Sequence, residues 1–410
     1  MEVHNDEKLE TQHSGLQPSE GTTFLRTCFN GVNAMSGVGI LSVPYALSEG
    51  GWFGLVLLLV MAVVCWYTGL LLRRCMNANP LIKTYADLGE LAFGYKGKLI
   101  VAFFLYLELY LVAIEFLILE GDNLNKLFPN MSFKVSNLRV EGKQGLTLLA
   151  AALFLPTTWL RSMGLLAYIS AGGVLASIIL VVCVFWVGAV DGVGFHERGQ
   201  FLKWGGMPTT VSLYAFCYCG HAVFPTLCTS MKDKRQFSKV LAICFVVCTV
   251  NYGSMAILGY LMYGDSVKSQ VTLNLPVKKL SSKIAIYTTL INPFTKYAIM
   301  ITPIATAIED HFQFYKSKYS ICVLIRTVLV ISTVVVALVV PLFGYLMSLI
   351  GAFLSVTASM LLPCICYLKI SKAHRSNGLE LLVIIGILIL GSLVAVLGTY
   401  MSLRQIISHL

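Results

Sequence analysis

Long apolar segments recur along the chain, and they constrain its fold more than any other feature. A helix needs about 20 apolar residues to cross a bilayer, and eleven segments approach or exceed that length. Charged residues make up only 12% of the chain, against about 25% in soluble proteins. The sequence therefore predicts an all-α polytopic membrane protein and excludes soluble, disordered, fibrous and nucleic-acid-binding classes. The predicted spans are residues 24–47, 51–72, 98–119, 144–160, 163–189, 209–230, 239–263, 283–307, 320–340, 342–368 and 380–403.

The positive charges indicate how the spans are oriented. The chain has a net charge of +10, and its Lys and Arg residues lie mostly in the loops between spans. The loops on the side of the N-terminus carry more of them, which predicts that this side faces the cytosol. Residues 1–23 are polar and predict a disordered cytosolic tail ahead of a transmembrane domain over 24–408. A glycosylation sequon at Asn130 then lies in a loop on the opposite side, as glycosylation requires.

The cysteine and histidine residues do not form a metal-binding or catalytic pattern. The pairs Cys217/Cys219 and Cys364/Cys366 lie in apolar runs and have no second pair at metal-binding spacing. The chain contains no H-E-x-x-H and no G-x-S-x-G motif. We therefore expect no metal, no cofactor and no enzymatic activity.

The first and sixth predicted spans are interrupted in the same way. Each has glycine and polar residues at its middle, followed by a proline, Pro44 or Pro225. Two such spans five helices apart predict an inverted repeat, with repeats over about 24–189 and 209–368 and an extra helix over 380–403. The alternative is that these residues only allow close helix packing. The interruptions contain Asn33, Ser36, Gly37, Val38 and Gly39 in the first span, and Tyr218, Cys219, Gly220 and His221 in the sixth.

An interrupted helix in a membrane leaves backbone N–H and C=O groups free near the bilayer midplane, and these groups survive there only beside an enclosed cavity. Free N–H groups attract a carboxylate, and free carbonyls attract an ammonium group. The two interruptions therefore predict a site for a zwitterion such as an amino acid. His221 either contributes to that site or only packs beside it.

Three ionisable residues lie deep inside predicted spans: Glu108 and Glu115 in the third, and Lys296 in the eighth. Each costs roughly 2.5–3.5 kcal/mol at a helix centre, so each should be paired or face a cavity. Lys296 shares a helix face with Asn292 and Thr289, which predicts a polar stripe towards the central pathway. Lys296 could bind and release a coupling proton, with a glutamate as a possible partner. It could also form a permanent ion pair with Glu108 or Glu115, or extend to the membrane surface.

Several long motifs resemble the amino acid/auxin permease family, and within it the plant vacuolar amino acid transporters. The resemblance spans about residues 22–405, and the motifs that carry it are Asn33–Ala46, Tyr85–Gly94, Leu119–Leu124, Cys219–Pro225 and Asn292–Ala298. It implies eleven spans and the five-plus-five (LeuT-like) fold first seen in bacterial sodium-coupled amino acid transporters.

The resemblance also implies a mechanism. Sodium-dependent relatives use an Asn in the first span, which Asn33 matches, and a small hydroxyl residue in the eighth. Lys296 stands near that second position, which argues against sodium and favours a proton as the coupling ion. We therefore expect a monomeric, proton-coupled secondary transporter of neutral amino acids in the vacuolar or another endomembrane. An amino acid sensor without flux, a sodium-coupled carrier and an auxin-like permease remain alternatives.

Overall fold

The computed structural model describes residues 21–79, 81–129, 131, 133–135, 138–140, 142–159, 166–311, 319–371 and 378–409. The predicted tail up to residue 20 and the sequon residues Asn130 and Ser132 lie outside this range. Thr22, which the sequence placed in the tail, pairs its backbone with the end of the sixth span: its N–H donates to Ser230 O at 2.7 Å.

Helices occupy all eleven predicted spans. Eight helical segments among the described residues are long and apolar enough to cross a membrane, and the count of eleven crossings stays a prediction. The helices are α1 (Phe24–Met35), α2 (Val43–Gly50), α3 (Gly54–Ala78), α4 (Tyr85–Leu127), α5 (Gly142–Trp159), α6 (Leu166–Ala189), α7 (Met207–Cys217), α8 (Phe224–Ser230), α9 (Phe237–Tyr263), α10 (Leu280–His311), α11 (Tyr319–Val339), α12 (Phe343–Leu349), α13 (Leu362–Ile370) and α14 (Gly378–His409). Two short antiparallel strands, β1 (Phe133–Val135) and β2 (Leu138–Val140), form a hairpin between α4 and α5.

The predicted spans map simply onto these helices. The first span is α1 and α2, and the sixth is α7 and α8. The tenth span runs from α12 to α13 through two π-helical segments, Ile350–Ser355 and Thr357–Leu361. As the sequence predicted, α11 and α12 separate around Pro341, a residue whose missing N–H breaks helical hydrogen bonding.

A bend divides α4 at Gly94. Gly94 has a φ of 70°, a left-handed conformation that glycine adopts without a steric penalty. The short helical segment before the bend begins with a capping box. Thr84 Oγ1 accepts from the Asp87 N–H at 3.3 Å, and the Thr84 N–H donates to Asp87 Oδ2 at 2.8 Å. The bend separates this capped segment from the long part of α4 that carries the intramembrane glutamates.

The helix packing repeats after a shift of five spans, as an inverted repeat requires. Helices α4 and α10, the third and eighth spans, pack directly on each other. α4 packs on α5 as α10 packs on α11, and the first span packs on α9 as the sixth packs on α3. This arrangement places the two interrupted spans at the centre of the bundle. Large apolar side chains such as Val250, 64% exposed, cover its outer surface and suit a lipid environment.

Candidate functional site

The first span is interrupted between α1 and α2, as predicted. Helix α1 ends at Met35, and Ser36 (φ −74°, ψ 74°) and Gly37 (φ −97°, ψ −153°) leave the helical conformation. A short 3₁₀ turn over Val38–Leu41 then leads into α2. The interruption removes regular α-helical hydrogen bonds, so the last carbonyls of α1 need other donors.

The sixth span is interrupted at the corresponding place. Helix α7 ends at Cys217, and a 3₁₀ turn over His221–Val223 precedes α8. The two interruptions touch each other, because a Cβ added at Gly39 would lie 2.7 Å from Cys217 Sγ. Only glycine at position 39 allows so close an approach.

Side chains of the protein itself bind four of the carbonyls at the two interruptions. Lys296 and Tyr252 supply the donors. Lys296 Nζ donates to Asn33 O at 2.9 Å and to Ser36 O at 3.3 Å. The Tyr252 hydroxyl lies 2.7 Å from Met35 O and 3.1 Å from Cys217 O. The carbonyls that the sequence analysis assigned to a substrate ammonium group are thus bound in this structure, at least in part, by these two residues.

Lys296 lies in α10 and is 7% exposed. None of the ion pairs among the described residues joins it to a carboxylate. The ion pair with Glu108 or Glu115 that the sequence left open is therefore not formed. Lys296 Nζ donates instead to carbonyls at the end of α1, and Glu108 is hydrogen bonded to Ser355 and Cys219. Lys296 binds the carbonyl end of a helix, where a cation is electrostatically favoured.

Glu108 contacts the other interruption. Its Oε1 accepts from Ser355 Oγ at 2.7 Å and lies 3.2 Å from the thiol of Cys219. Ser355 belongs to the first π-helical segment, so Glu108 links α4, the tenth span and the turn after α7. Glu108 is 8% exposed, and its carboxylate is hydrogen bonded to both Ser355 and Cys219.

Glu115 is fully buried, and neither of its carboxylate oxygens has a hydrogen-bond partner in the part of the chain that the structure describes. It lies two turns along α4 from Glu108. A buried carboxylate without a partner is costly. The charged form of Glu115 therefore destabilises the surrounding packing relative to the protonated form.

His221 lies behind the interruption, against α3. Its Nε2 is 3.0 Å from Cys65 O and 3.0 Å from Thr68 Oγ1, and its ring centroid is 4.8 Å from that of Phe224. Because a carbonyl oxygen can only accept, Nε2 carries the proton. The side chain holds α8 against α3, and it lines neither of the cavities beside the first span.

A cavity of about 320 Å³ lies beside the first interruption, between α1, α6 and α10. Asn33 and Asn292 line it, and each has a buried side-chain oxygen without a hydrogen-bond partner among the described residues, as does Ser36 nearby. A smaller adjoining cavity reaches Gly37 and Val38. Buried unpartnered polar atoms around a cavity indicate a polar ligand.

Some residues of this site were not predicted from the sequence. Gly172 and Gly173 of α6 line the cavity, and a Cβ at Gly173 would lie 1.9 Å from Asn33 Oδ1. The adjacent glycines in the fifth span were a signal that could have marked this close approach. Tyr252 had no such signal, since its role depends on where α9 packs.

Comparisons with known proteins agree with this geometry. A family model described as transmembrane amino acid transporter protein matches residues 20–404. Amino acid transporter AVT1I of Arabidopsis thaliana is 53% identical, over 94% of this chain and 96% of its own length. AVT1J of the same plant is 52% identical, over 97% of this chain and 96% of its own length.

A solved structure shares the fold. It shows the substrate-bound, outward-open state of a Na⁺-coupled sialic acid symporter and matches with a TM-score of 0.56 at 12% identity. The match covers 92% of this chain and 89% of the symporter chain. At this identity the likeness concerns the fold alone, and it confirms the predicted transporter fold with interrupted first and sixth spans.

Proposed function

The chain belongs to the family of transmembrane amino acid transporter proteins, and we propose that it moves neutral amino acids by proton-coupled alternating access. The protein is a multi-pass amino acid transporter and not an enzyme, as its family and relatives are transporters. The coupling ion, the substrate preference and the membrane are the proposed parts. They rest on the contacts of Lys296, on the cavity and on the resemblance of the motifs.

The substrate binds in the cavity between α1, α6 and α10. Its carboxylate lies at the backbone N–H groups of Val38 and Gly39, where the 3₁₀ turn begins, since the Gly37 N–H already donates to Met35 O at 2.8 Å. Its ammonium group donates to the unpartnered oxygens of Asn33 and Asn292. The remaining lining is mostly aliphatic, and no acidic or basic side chain is among the residues that line the cavity. This composition favours a neutral side chain, since a charged one would be left unpaired.

One observation carries the proposal of proton coupling: Lys296 Nζ donates to the carbonyls of Asn33 and Ser36. A charged ammonium group holds these carbonyls strongly, because hydrogen bonds from ionised donors are about twice as strong as neutral ones. Loss of the proton weakens both contacts and frees the end of α1. Protonation of Lys296 therefore biases the first span between two arrangements, which is what coupling requires.

The same contacts argue against sodium. Lys296 Nζ places a positive charge on the carbonyl oxygens of an interrupted helix, and such oxygens are also the ligands that hard cations use. A sodium ion at this point would have to share these oxygens with a lysine charge. Glu108 and Glu115 are additional proton-carrying groups under this proposal, since both are buried in α4 and Glu108 contacts the sixth interruption through Cys219.

The resemblance of the motifs to plant vacuolar transporters supports a vacuolar or other endomembrane location with the N-terminus in the cytosol. The greater number of Lys and Arg residues on the N-terminal side supports the same orientation.

Reconstituted flux tests the proposal. The full chain is placed in liposomes, and uptake of labelled amino acids is measured with a pH gradient of either sign, with and without sodium. We expect uptake of neutral amino acids to follow the pH gradient and not sodium. Sodium-dependent uptake without any response to pH would contradict proton coupling. Binding without counterflow would instead indicate a sensor.

A substitution locates the coupling. Lys296→Met keeps the length of the side chain but removes its charge. We expect it to abolish gradient-driven accumulation while counterflow of substrate continues. Lys98→Met is the matched control, because Lys98 forms an exposed ion pair with Glu90 far from the site. Gradient-driven uptake that survives in Lys296→Met would remove Lys296 from the coupling step.

A further inference from the structure

An apolar groove of about 520 Å³ lies between α3 and α9 on the outer surface of the bundle. Its walls face outwards, since Val63 is 60% exposed and Val250 is 64% exposed. A surface of this composition at membrane depth suits hydrocarbon chains. The groove is lined chiefly by Leu59, Val63, Trp66, Ala242, Val246 and Val250.

An unpaired arginine lies beyond one end of this groove. Arg73 follows Trp66 by seven residues, which places it on the same face of α3, two turns or about 10 Å further along. Its side chain is 8% exposed, and Nη1 has no hydrogen-bond partner within the described part of the chain. The nearest aromatic contact is the ring of Phe237, with the guanidinium carbon 5.9 Å from its centroid. No carboxylate among the described residues forms an ion pair with Arg73, although the carboxyl group of Asp233 in the loop before α9 is close enough to interact with it electrostatically.

Another buried arginine in the same protein has both a carboxylate and a carbonyl partner within the chain. Arg326 is 5% exposed, and its Nε donates to Glu309 Oε1 at 3.0 Å. Its Nη1 donates to Thr158 O at 2.6 Å. Arg73 has no equivalent carboxylate or carbonyl among the described residues. Arg73 therefore keeps an N–H donor, on Nη1, that the described residues leave free for an anionic group.

The surroundings of Arg73 are strongly basic. The loop between α8 and α9 exposes several lysine and arginine side chains, and Lys239 is exposed one turn before Ala242 on α9. The acidic residue of this loop, Asp233, is already engaged: hydrogen bonds from Gln236 and from the Arg235 N–H lower the pKa of its carboxyl. The basic residues of the loop are Lys232, Lys234 and Arg235.

We propose that the α3–α9 groove binds an acyl chain of an anionic glycerophospholipid whose phosphate pairs with Arg73. The groove provides the surface for the chain, and the basic end provides the charge for the headgroup. Trp66 lines the groove, and its indole Nε1 has no hydrogen-bond partner among the described residues, which leaves it as a donor for an ester carbonyl of the lipid. An arginine side chain is long enough to direct its guanidinium group to the headgroup level.

The orientation predicted from the sequence is consistent with this ligand. It places Arg73 and the α8–α9 loop on the cytosolic side, and the cytosolic leaflet is the one that holds anionic lipids. A zwitterionic lipid offers the same chains but no net charge. A preference for the anionic lipid over the zwitterionic lipid therefore distinguishes specific binding from ordinary contact with the bilayer.

Quenching of Trp66 by brominated lipids tests the proposal. The full chain is purified in detergent, and its fluorescence is titrated with brominated phosphatidylserine or brominated phosphatidylcholine. The difference between the native chain and Trp66→Phe gives the signal of Trp66 alone. We expect phosphatidylserine to bind at least fivefold more tightly, and Arg73→Gln to remove that preference. Equal binding of the two lipids by the native chain would overturn the proposal.

Three variants separate the parts of the site. Arg74→Gln is the matched control, because Arg74 is the neighbouring residue but pairs with Glu380 at the surface. It should keep the preference, and Arg73→Lys should keep part of it. Ala242→Phe fills the groove without touching Arg73, so it should suppress quenching by both lipids even if Arg73→Gln fails to fold. Continued quenching in Ala242→Phe, or release of the lipid by inorganic phosphate alone, would contradict the assignment.

Discussion

The hydroxyl of Tyr252 lies 2.7 Å from the carbonyl oxygen of Met35, at the point where the first span is interrupted. The same hydroxyl is 3.1 Å from Cys217 O at the end of α7. One side chain of α9 therefore joins the two interrupted helices. Any movement of one interruption relative to the other has to break or rearrange this contact.

Tyr252→Phe removes the hydroxyl that contacts both interrupted helices and keeps the aromatic ring. Met35 O keeps its hydrogen bond from the Gly37 N–H at 2.8 Å, whereas Cys217 O loses its side-chain donor, and an unsatisfied buried polar group costs about 1–3 kcal/mol. We expect transport at low substrate concentration to fall about tenfold or more, since 1.4 kcal/mol corresponds to a factor of ten. Initial uptake rates in liposomes measure this effect. Tyr110→Phe is the control, because its hydroxyl bonds Ser332 away from the interruptions, and an equal loss there would show a general effect.

Gly173→Ala should disturb the cavity. A Cβ at this position would lie 1.9 Å from Asn33 Oδ1, so Asn33 has to move away from its present place. Overpacking of this kind costs about 1–3 kcal/mol, and we expect a raised KM for substrate.

Gly172→Ala is its matched control. A Cβ at Gly172 meets nothing within 4 Å, so its KM should stay near that of the native chain. Concentration series of uptake compare the two variants. A KM for Gly173→Ala equal to that of Gly172→Ala would show that Asn33 does not shape the substrate site.

Glu309→Gln should destabilise the protein. Arg326 and Glu309 form a buried pair at 3.0 Å, with side chains 6% and 10% exposed. Removing one partner of a buried pair costs about 3–5 kcal/mol, because the other charge stays buried and unpaired. Thermal unfolding in detergent measures the fall in Tm. Glu90→Gln breaks the exposed pair with Lys98 and should cost less than about 1 kcal/mol; a similar fall in both variants would contradict the burial argument.

His221→Gln should leave the pH profile of transport unshifted. His221 packs against Cys65 O and Thr68 rather than lining either cavity beside the first span. A glutamine amide can still donate to the Cys65 carbonyl, so the loss is limited to about 1 kcal/mol. Uptake measured across a range of pH values checks this expectation. A shifted profile would assign His221 to the coupling step.

Sequence patterns predicted much of this architecture. The Gly and Pro residues of the first and sixth spans predicted both interruptions. Glycine adopts non-helical backbone conformations easily, and proline lacks the N–H that a helical hydrogen bond needs. Lys296 stood out as an intramembrane charge, and its need for a partner followed from the cost of burying it. These inferences depend on the local chain and on its hydrocarbon surroundings, both of which a sequence contains.

The partners of the buried groups could not be predicted in the same way. Glu108 and Glu115 lie on one helix and have the same side chain, yet Glu108 binds Ser355 and Cys219 while Glu115 has no hydrogen-bond partner among the described residues. The π-helical segment that brings Ser355 to Glu108 is formed by ordinary apolar and small residues, which would also suit a regular α-helix. Nothing in the sequence distinguished Tyr252 from the many other residues of the apolar spans.

The sequence by itself determined that this chain crosses a membrane, where two of its helices unwind, and which buried charge needs a partner. Hydropathy, glycine, proline and charge act locally, so their consequences can be derived residue by residue. Only the tertiary structure decided that Lys296 and Tyr252 bind the exposed carbonyls, and that His221 faces α3. Those contacts join residues far apart in the chain, and their geometry depends on how every helix packs against its neighbours.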